Sequence, residues 1–445
     1  MRWGLLHGVA FFGAIACQGG SFFVCNDDVD CTGDGEQGLC QATGACSFPD
    51  QECDSGQRYG EGSPPALAGE CVMLDEGSTG TLDSDTSSDS AADSADDTSG
   101  VGCPPDWWDC AWGTRQRLDL QRPVDGPLVD VPVLILLTDG RVDHEQMQAD
   151  GEDVRFVSAT GAVLPYEIER WDPEGISILW TTVDALGGSD DHIWLYYDNP
   201  VAENAQDQDA VWPAPFAGVW HLEDDPLDAS GNENHALPTD ATDIALGQIA
   251  NGRDYIGGSA RLDVEASPSL ADAFAEGATV SAWIRPRSWG GNGYGRIVHK
   301  SDDVLGWLLY VAPDGALRFS IQLGLAEAST WETPIESLAV HTWTHVAVTY
   351  DPRQLVLPSL YINGSPRQLA EPAPPPEVDP ATIPSDVDIP LTVGNRPDNN
   401  RRFNGVLDEI RIETTARSPE WIEVQYDATR DELFEYGPIE SHDGA

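Results

Sequence analysis

The chain has 445 residues, which is too long for one compact core and suits two or three domains. It is strongly acidic, with 76 Asp and Glu against 23 Lys and Arg and a formal net charge of −53. Because nucleic-acid affinity comes mainly from Lys and Arg on phosphates, this charge excludes nucleic acid as a general partner and disfavours anionic lipid headgroups. The acidity suits a solvated extracellular surface, and it also suits cation binding.

The N-terminus places Arg2, an apolar run and then small residues directly before Cys17 (MRWGLLHGVAFFGAIAC). The run is shorter than the roughly 20 residues of a membrane span and fits a secretory signal peptide over residues 1–16. AIAC resembles a bacterial lipobox, although Ala14 stands where Leu is more usual. The resemblance implies lipidation of Cys17 and anchoring at the outer membrane or cell surface; secretion without a lipid is the alternative. No other stretch is apolar enough to span, so we expect membrane attachment only through this lipid.

The cysteine count also favours export. The chain has nine cysteines, and eight remain when Cys17 is set aside. No two of these eight have the two-residue spacing of a zinc knuckle or a thioredoxin motif. We therefore expect disulfides formed in an oxidising compartment, with Cys103 paired to Cys110 and the connectivity of the earlier six left open. Residues 17–74 form a Cys-rich module in which disulfides replace a core.

Residues 75–102 (DEGSTGTLDSDTSSDSAADSADDTSGVG) contain neither an aromatic residue nor a positive charge. Such a segment cannot bury a core and repels itself, so the sequence predicts an extended, disordered acidic linker. It would hold the domains that follow it away from a membrane.

Residues 103–208 contain short β-like runs with turns between them, a pattern typical of an all-β sandwich. The segments DGEDVRFVSATGAVLPYEIERWD and IWLYYDNP resemble a bacterial family known as domain of unknown function 2341. Asp198 departs from this family, which often has Gly there. The resemblance implies a fold and no particular reaction.

The last predicted domain covers residues 213–437. Its motifs, in chain order, are GVWHLEDDPLDASGNENHA, ATVSAWIRP, HTWTHVAVTYD, LYINGS, LTVGN and FNGVLDEIRI. They resemble the laminin-G-like, concanavalin A-like jelly roll of bacterial surface proteins. The residue patterns agree with this resemblance, because TVSAWI and HVAVTY alternate like half-buried strands and YINGS predicts an Asn-Gly hairpin. Only SPEWIEVQY predicts a helix, with Ser418 as N-cap and Pro419 in the first turn. We therefore predict an all-β protein, a β-sandwich followed by a jelly roll.

The segment DASGNENHA packs oxygen-bearing side chains around Gly231. Calcium takes six to eight hard oxygen ligands, partly from the backbone of a tight loop. The resemblance implies that the Asp of this loop and an acid of the last strand hold one structural calcium, so Asp228, Asn232 and Asp408 are the predicted metal ligands. The alternative is an Asx-type turn closed by its own hydrogen bonds.

The strand FNGVLDEIRIE carries three carboxylates, and strict alternation divides them between its two faces. One face would hold Val406, Asp408, Ile410 and Ile412, and the other Leu407, Glu409, Arg411 and Glu413. Asp408 would then point inward, where a buried carboxylate needs a cation or several donors. The second face would form a charged ladder.

Glycoside hydrolysis is an alternative function for such a strand, because glucanases of this class carry an E-x-D-x-E pattern. Here Arg411 replaces the central Asp, and Glu409 and Glu413 should lie ~13 Å apart on an extended strand. Retaining hydrolysis needs carboxyls ~5–5.5 Å apart, so we predict no catalytic residues. His341 and His345 are likewise ~13 Å apart on an extended strand and predict no metal site.

The glycine-rich stretch WGGNGYG lacks a dinucleotide-binding spacing and indicates a loop between strands. Its aromatic residues, Trp289 and Tyr294, are candidates for stacking on a sugar; a plain loop is the alternative. The sequence thus predicts an exported, non-catalytic surface protein that binds a glycan or another surface protein. A structural or adhesive spacer without a specific ligand is the alternative function.

Overall fold

The computed structural model describes residues 104–442, except 125, 188–191, 224, 240–241, 325–327, 371–377 and 380–381, together with short N-terminal pieces. These pieces are residues 32–33, 36–40, 46–50, 53, 57–60 and 71–72. The predicted lipidation site Cys17, the predicted linker and Cys103 lie outside the described residues. Cys53 is disulfide-bonded to Cys71, and Cys110 is also in a disulfide.

The strands and helices fall in the following order along the chain. The N-terminal module holds β1 (Thr32–Gly33), β2 (Glu36–Gln37), β3 (Leu39–Cys40), β4 (Cys46–Pro49) and β5 (Gln57–Tyr59). The next region holds β6 (Thr114–Leu120), β7 (Leu128–Leu137), β8 (Arg155–Ser158), β9 (Val163–Leu164), β10 (Tyr166–Arg170), β11 (Ser177–Leu186), β12 (His192–Tyr197) and helix α1 (Gln208–Val211).

The longest region follows. Its elements are β13 (Phe216–Trp220), β14 (Leu237–Thr239), β15 (Thr242–Leu246), β16 (Asn251–Tyr255), β17 (Arg261–Val264), α2 (Ala273–Glu276), β18 (Ala278–Ser288), β19 (Arg296–Ser301), β20 (Leu305–Val311), β21 (Leu317–Leu323), β22 (Ala328–Glu332), β23 (Thr344–Tyr350), β24 (Ser359–Ile362), β25 (Ser365–Arg367), β26 (Leu391–Val393), β27 (Asn404–Glu413), α3 (Pro419–Ala428) and β28 (Phe434–Ser441). The predicted all-β fold is confirmed.

The first sandwich consists of two antiparallel sheets. One has the strand order β10-β11-β7 and the other the order β28-β6-β12-β8-β9. Strand β28 comes from the end of the chain, with Phe434 opposite Leu120 and Ser441 opposite Thr114. The jelly roll was predicted to extend to residue 437, whereas residues 434–441 complete the first sandwich. The jelly roll is therefore inserted between strands of the sandwich that precedes it.

The jelly roll also has two sheets. One has the strand order β15-β16-β27-β18-β23-β24-β25, with β13 added beside β27, and the other has the order β14-β17-β26-β19-β20-β21-β22. Their facing side chains form one apolar core, which contains Ile284, Leu360, Phe319 and Trp331. Burial of this apolar surface is the main stabilising term of the domain.

The sheet β10-β11-β7 lies between the two domains. Every residue from Val131 to Leu137 is buried, so the run VPVLILL shows no alternation because both faces of the strand are covered. One apolar cluster contains Leu134 of this sheet, Leu195 of the other sheet of the first sandwich and Tyr361 of the jelly roll. The sandwiches thus share a core rather than meeting only at a linker.

Helix α3 lies across this junction. Ser418 caps it by accepting a hydrogen bond from the Trp421 amide at 3.2 Å, as the sequence predicts. Trp421 is buried in the shared core, and Gln425 Nε2 donates to the Pro132 carbonyl of β7 at 2.9 Å. None of the helices in the described part of the chain has the length and apolar character needed to cross a membrane.

Removing residues 434–445 tests the return of the chain to the first sandwich. The deletion takes away the strand that pairs with β6 and exposes the edge of that strand. We expect the melting temperature of the full chain to fall by roughly 5 °C or more, measured by circular dichroism. Deletion of residues 443–445 alone should leave it unchanged. Equal melting temperatures for both deletions would contradict the pairing.

Candidate functional site

The last strand of the jelly roll, β27, contains a β-bulge. Glu409 has a φ of 48°, and the register against β18 shifts between the pairs Trp283–Asp408 and Ser281–Arg411. An inserted residue changes which face the following side chains occupy. Leu407 therefore joins the jelly-roll core together with Ile410 and Ile412, whereas Val406 packs with Trp283. The predicted grouping of Val406, Asp408, Ile410 and Ile412 on one face is wrong for this reason.

Asp408 is fully buried and obtains its donors from the backbone. Its Oδ2 accepts from the amides of Gln248 at 2.7 Å and Ile249 at 2.9 Å, and its Oδ1 accepts from the Glu409 amide at 2.8 Å. Burial, with the nearby Glu409 charge, raises the pKa of Asp408 well above its usual value. The need for several donors is thus met without a cation.

Asp228 organises its own loop. Its carboxylate accepts from the Val219 amide at 2.8 Å, from both the amide and hydroxyl of Ser230 at 2.9 Å and from the Asn234 amide at 2.9 Å. Asn232 donates to the Phe216 carbonyl at 2.9 Å. This is the geometry of the alternative Asx-type turn.

The predicted calcium ligands are therefore not brought together by any described contact. Asp228 and Asn232 bond within and beside their loop, while Asp408 bonds to residues 248–249. The carboxylate oxygens of Asp228 and Asp408 already accept from protein donors, so these contacts do not fit one shared calcium. Calcium binding at these residues stays a prediction without support from the geometry.

The outer face of β27 is covered by the first sandwich, and five ionisable side chains meet there. We call them the interdomain cluster: Glu167, Glu169, His221, Glu409 and Arg411. Their side chains are only 8%, 3%, 9%, 1% and 5% exposed, respectively. The predicted charged ladder is thus a buried one. Because these side chains have little contact with bulk water, they must satisfy most of their charge internally.

The local backbone explains how these groups converge. Glu167 and Glu169 are two residues apart on β10 and share one face. Strand β13 runs beside β27, with Trp220 opposite Ile410, so the following His221 comes to Glu409. His221 Nδ1 lies 2.7 Å from Glu409 Oε1 and 3.6 Å from Glu169 Oε2.

The remaining contacts close the cluster. His221 Nε2 lies 3.3 Å from Glu167 Oε1, and Arg411 Nη2 donates to Glu409 Oε2 at 2.6 Å. Glu169, His221 and Glu409 each offer one ligand atom within 4.8 Å of the others. This arrangement can hold protons or a metal ion.

Two buried indoles enclose the interdomain cluster. Trp180 Nε1 donates to Glu169 Oε2 and Trp212 Nε1 donates to Glu167 Oε2, both at 2.6 Å. Arg411 Cζ lies 4.6 Å from the Trp180 ring centroid and 4.8 Å from that of Trp212, within cation–π range. The indoles therefore donate to the carboxylates and lower the local dielectric around the charges.

The electrostatics follow from this burial. Burial raises the pKa of Glu169 to about 8; the charge of His221 acts to lower this pKa, and the charge of Glu409 acts to raise it. Burial lowers the pKa of His221, but the Glu409 and Glu169 charges outweigh it and hold that pKa well above its ordinary value. Burial likewise opposes ionisation of Glu409, yet His221 and Arg411 bring its pKa below the usual value. Burial and the neighbouring charges therefore favour proton binding at both His221 and Glu169.

Sequence reasoning missed the first-sandwich half of this cluster. Glu167 and Glu169 alternate with apolar residues in YEIER and look like the solvent-facing side of an edge strand. His221 stands in VWHLEDD among residues that suggested only the start of the jelly roll. The one available signal was the unbroken apolar run of β7, which indicates that this sheet is covered on both faces.

The two predicted sugar-stacking residues have different environments. Trp289 is partly buried against the jelly-roll core. Tyr294 lies 5.0 Å from Arg401 Cζ, 5.6 Å from Arg318 Cζ and 6.3 Å from the Tyr310 ring. We call Asn292, Tyr294, Tyr310, Arg318 and Arg401 the rim surface.

The glycine-rich loop is held in place beside the segment 400–402. The Gly291 amide donates to the Arg402 carbonyl at 2.8 Å, and the Arg296 amide donates to the Arg401 carbonyl at 2.9 Å. Asn292, which is exposed, donates to the Asn400 carbonyl at 3.3 Å. The loop therefore presents Tyr294 in a defined position.

A groove of about 480 Å³ lies where the chain enters the jelly roll. Its lining includes Trp212, Phe216, Asn232 and Ser269, and the one carboxylate among the described lining residues is Asp209. A single carboxylate does not provide the pair that glycoside hydrolysis requires.

The sequence predicted that His341 and His345 do not form a metal site. In the structure His341 is exposed before β23, and His345 is buried within that strand.

Two family models match the chain. Residues 150–229 match a domain of unknown function (DUF2341), and residues 257–423 match the concanavalin A-like lectin/glucanases superfamily. Both domains, in this order, were predicted from the sequence, and that prediction is confirmed. No curated protein matches the chain in sequence.

Among solved structures, the chain is similar to the binding domain of Paraclostridial Mosquitocidal Protein 1, at 19% identity and a TM-score of 0.39. It is also similar to the binding domain of Botulinum neurotoxin DC in complex with rat synaptotagmin II, at 15% identity and a TM-score of 0.38. Each match covers 48% of this chain and 52% of the other, so the chain spans about half the length of each. A likeness at this level says nothing about what this chain binds.

Arg411→Met tests whether the interdomain cluster supports the fold. The change leaves buried Glu409 without its cationic partner, which we expect to lower the free energy of unfolding by about 3–5 kcal/mol. The matched control is Arg117→Met, because Arg117 pairs with Asp119 at an exposed site and should cost about 1 kcal/mol or less. Urea denaturation measures both, and equal losses would contradict a supporting role.

Proposed function

We propose that this chain is a non-catalytic binding protein whose jelly roll recognises an acidic glycan at the rim surface. The match to the concanavalin A-like superfamily supports a ligand-binding jelly roll. The rim surface supports the finer assignment, because it combines partly exposed Tyr294 with guanidinium groups in a chain that is otherwise acidic. Aromatic rings stack on the apolar faces of sugars, and guanidinium groups bind carboxylates bidentately.

The positive charge at this surface is concentrated. Arg401 and Arg296 have no ion pair with a carboxylate among the described residues within 4.0 Å, and Arg296 Cζ lies 4.4 Å from the Tyr310 ring. Burial, followed by the charges of Arg396 and Arg401, lowers the pKa of Arg296 to about 10. Burial and the charges of Arg296 and Arg396 lower the pKa of His299 to about 3. An anionic group placed here would relieve this repulsion.

Only some of the arginines at and beside the rim surface are paired with carboxylates. Arg318 pairs with Glu332 and lies 3.4 Å from Asp314, and Arg396 pairs with Asp303. These pairs hold two of the guanidinium groups in place, whereas partly exposed Arg401 remains for a ligand and buried Arg296 adds its positive charge beneath the surface. Exposed Asn292 and Asn400 add amide groups of the kind that bind sugar hydroxyls.

The placement of the carboxylates supports a non-catalytic role. Glu167, Glu169 and Glu409 are closed in by both sandwiches, so a polysaccharide has no path to them in this conformation. The groove at the junction carries only Asp209 among its described carboxylates. A hydrolase would need two carboxylates facing one another across an open groove.

We further propose that a lipid on Cys17 anchors the protein at the outer membrane or cell surface. The support is the order of Arg2, an apolar run and small residues before that cysteine. The predicted acidic linker would then carry the two sandwiches away from the membrane.

Glycan binding is tested with the full chain on an array of neutral, uronic-acid-containing and sulfated glycans. We expect binding to the acidic glycans. Tyr294→Ala and Arg401→Gln should each reduce the affinity about tenfold, because each removes a contact that contributes about 1.4 kcal/mol to binding. Arg367→Gln, an equal loss of charge at an exposed site on β25, serves as the control and should bind like the wild type. Absence of wild-type binding to every glycan would favour a spacer, and unchanged binding by both rim variants would contradict the proposed surface.

Lipid anchoring is tested by Cys17→Ala in a bacterial host that processes lipoproteins. The variant lacks the thiol that receives the lipid, so we expect an unprocessed or soluble product. Membrane fractionation with metabolic labelling by a fatty acid is the measurement. Unchanged membrane association of the variant would rule out the anchor.

A further inference from the structure

We propose that Glu169, His221 and Glu409 bind one divalent transition-metal ion of the zinc class, which links the two sandwiches. The site is separate from the rim surface and does not depend on the proposed glycan. Its ligands come from β10 of the first sandwich, from the residue that follows β13 and from β27 of the jelly roll. One ion would therefore be held by both domains.

The distances suit such an ion. Zinc is bound by His nitrogen at 2.0–2.1 Å and by carboxylate oxygen at ~2.0–2.2 Å, which places tetrahedral ligand atoms about 3.3 Å apart. His221 Nδ1 lies 2.7 Å from Glu409 Oε1 and 3.6 Å from Glu169 Oε2, so the observed separations bracket that value. Shifts of a few tenths of an ångström would complete the geometry.

An unsatisfied atom points to a missing ligand. Glu169 Oε1 is buried and has no hydrogen-bond partner among the described residues, although its side chain is only 3% exposed. A buried carboxylate oxygen without a donor is costly, and polar atoms of this kind need an explanation. A metal ion beside His221 that both oxygens of Glu169 bind would provide the missing partner.

Outer donors hold these ligands in place, as is usual around protein-bound metals. Arg411 Nη2 donates to Glu409 Oε2, which leaves Glu409 Oε1 for the centre, and Trp180 Nε1 donates to Glu169 Oε2 and so orients the oxygen that lies nearest His221. Glu167 Oε1 lies 3.3 Å from His221 Nε2 without the alignment of a hydrogen bond, and its negative charge would favour a proton on Nε2, which leaves Nδ1 as the ligand. Glu167 is therefore assigned as a positioning residue.

Charge and ligand type favour a divalent transition metal. The three glutamates carry −3 and Arg411 carries +1, so a neutral imidazole with a divalent ion brings the buried cluster to zero. Imidazole nitrogen suits zinc and similar metals, whereas calcium and magnesium prefer all-oxygen sites. We therefore use Zn²⁺ as the probe for this site.

The alternative occupant is the proton. With His221 and Glu169 both protonated, the same residues form a neutral ion-pair network without any metal. The two states make different predictions about bound metal, because a proton network leaves no metal after dialysis.

The test measures how much zinc the full chain retains. The protein is refolded with excess Zn²⁺ and dialysed, and its zinc content is then measured by inductively coupled plasma mass spectrometry. We expect the wild type to retain one Zn²⁺ more than Glu169→Gln, which keeps the size of the side chain but removes the ligand charge. Because the variant keeps every cysteine and every other carboxylate, it subtracts metal bound elsewhere on this acidic chain. Asp228→Asn is the matched control in the loop once predicted to bind calcium, and it should retain the same Zn²⁺ as the wild type.

Two further readouts keep the proposal falsifiable if a variant folds poorly. Zn²⁺ should raise the melting temperature of the wild type by about 3 °C, and Ca²⁺ should not. Co²⁺ should give the wild type visible absorption bands of four- or five-coordinate nitrogen and oxygen ligation, which need no variant to interpret. Equal zinc in the wild type and Glu169→Gln, or a wild type that shows neither the thermal shift nor the Co²⁺ bands, would overturn the proposal in favour of the proton network.

Discussion

The constraint on which this structure depends is the burial of ionisable side chains between two β-sandwiches. The interdomain cluster holds three carboxylates, an imidazole and a guanidinium away from water. Taking such groups out of water is expensive unless each finds a partner, so the two sheets must meet with the opposing charges in register. Trp180 and Trp212 contribute to this register, because each donates to one carboxylate while packing in the shared core.

The path of the chain follows the same constraint. The jelly roll is inserted before β28, which returns to pair with β6 of the first sandwich, and helix α3 crosses the junction on the way. Strand β7 is covered on both faces, so the first sandwich shares its apolar cluster with residues of the jelly roll. The binding surface proposed on the jelly roll lies instead on its other sheet, around β20 and β21, where a rigid support holds Tyr294 and its arginines.

The local features of the fold could be predicted from the sequence, and the contacts between distant segments could not. The Ser418 cap, the strands TVSAWI and HVAVTY and the order of the two domains all have signals within a few residues. The half-burial predicted for these two strands is wrong, because every residue in both is buried. The bulge at Glu409 has no such signal, because a non-glycine residue with positive φ is held there by its surroundings. His221 and Glu409 are 188 residues apart, so nothing near either one indicates their contact. The shift at the bulge is also what moved Leu407 into the core and invalidated the strict alternation.

The central claim is that the two sandwiches fold as one unit around the buried cluster. Differential scanning calorimetry of the full chain at neutral pH tests it most directly. The account predicts a single cooperative transition for both sandwiches, with a calorimetric enthalpy equal to the van't Hoff enthalpy. Two resolved transitions of comparable enthalpy would contradict it, because they would show that each sandwich keeps its own core when the other unfolds.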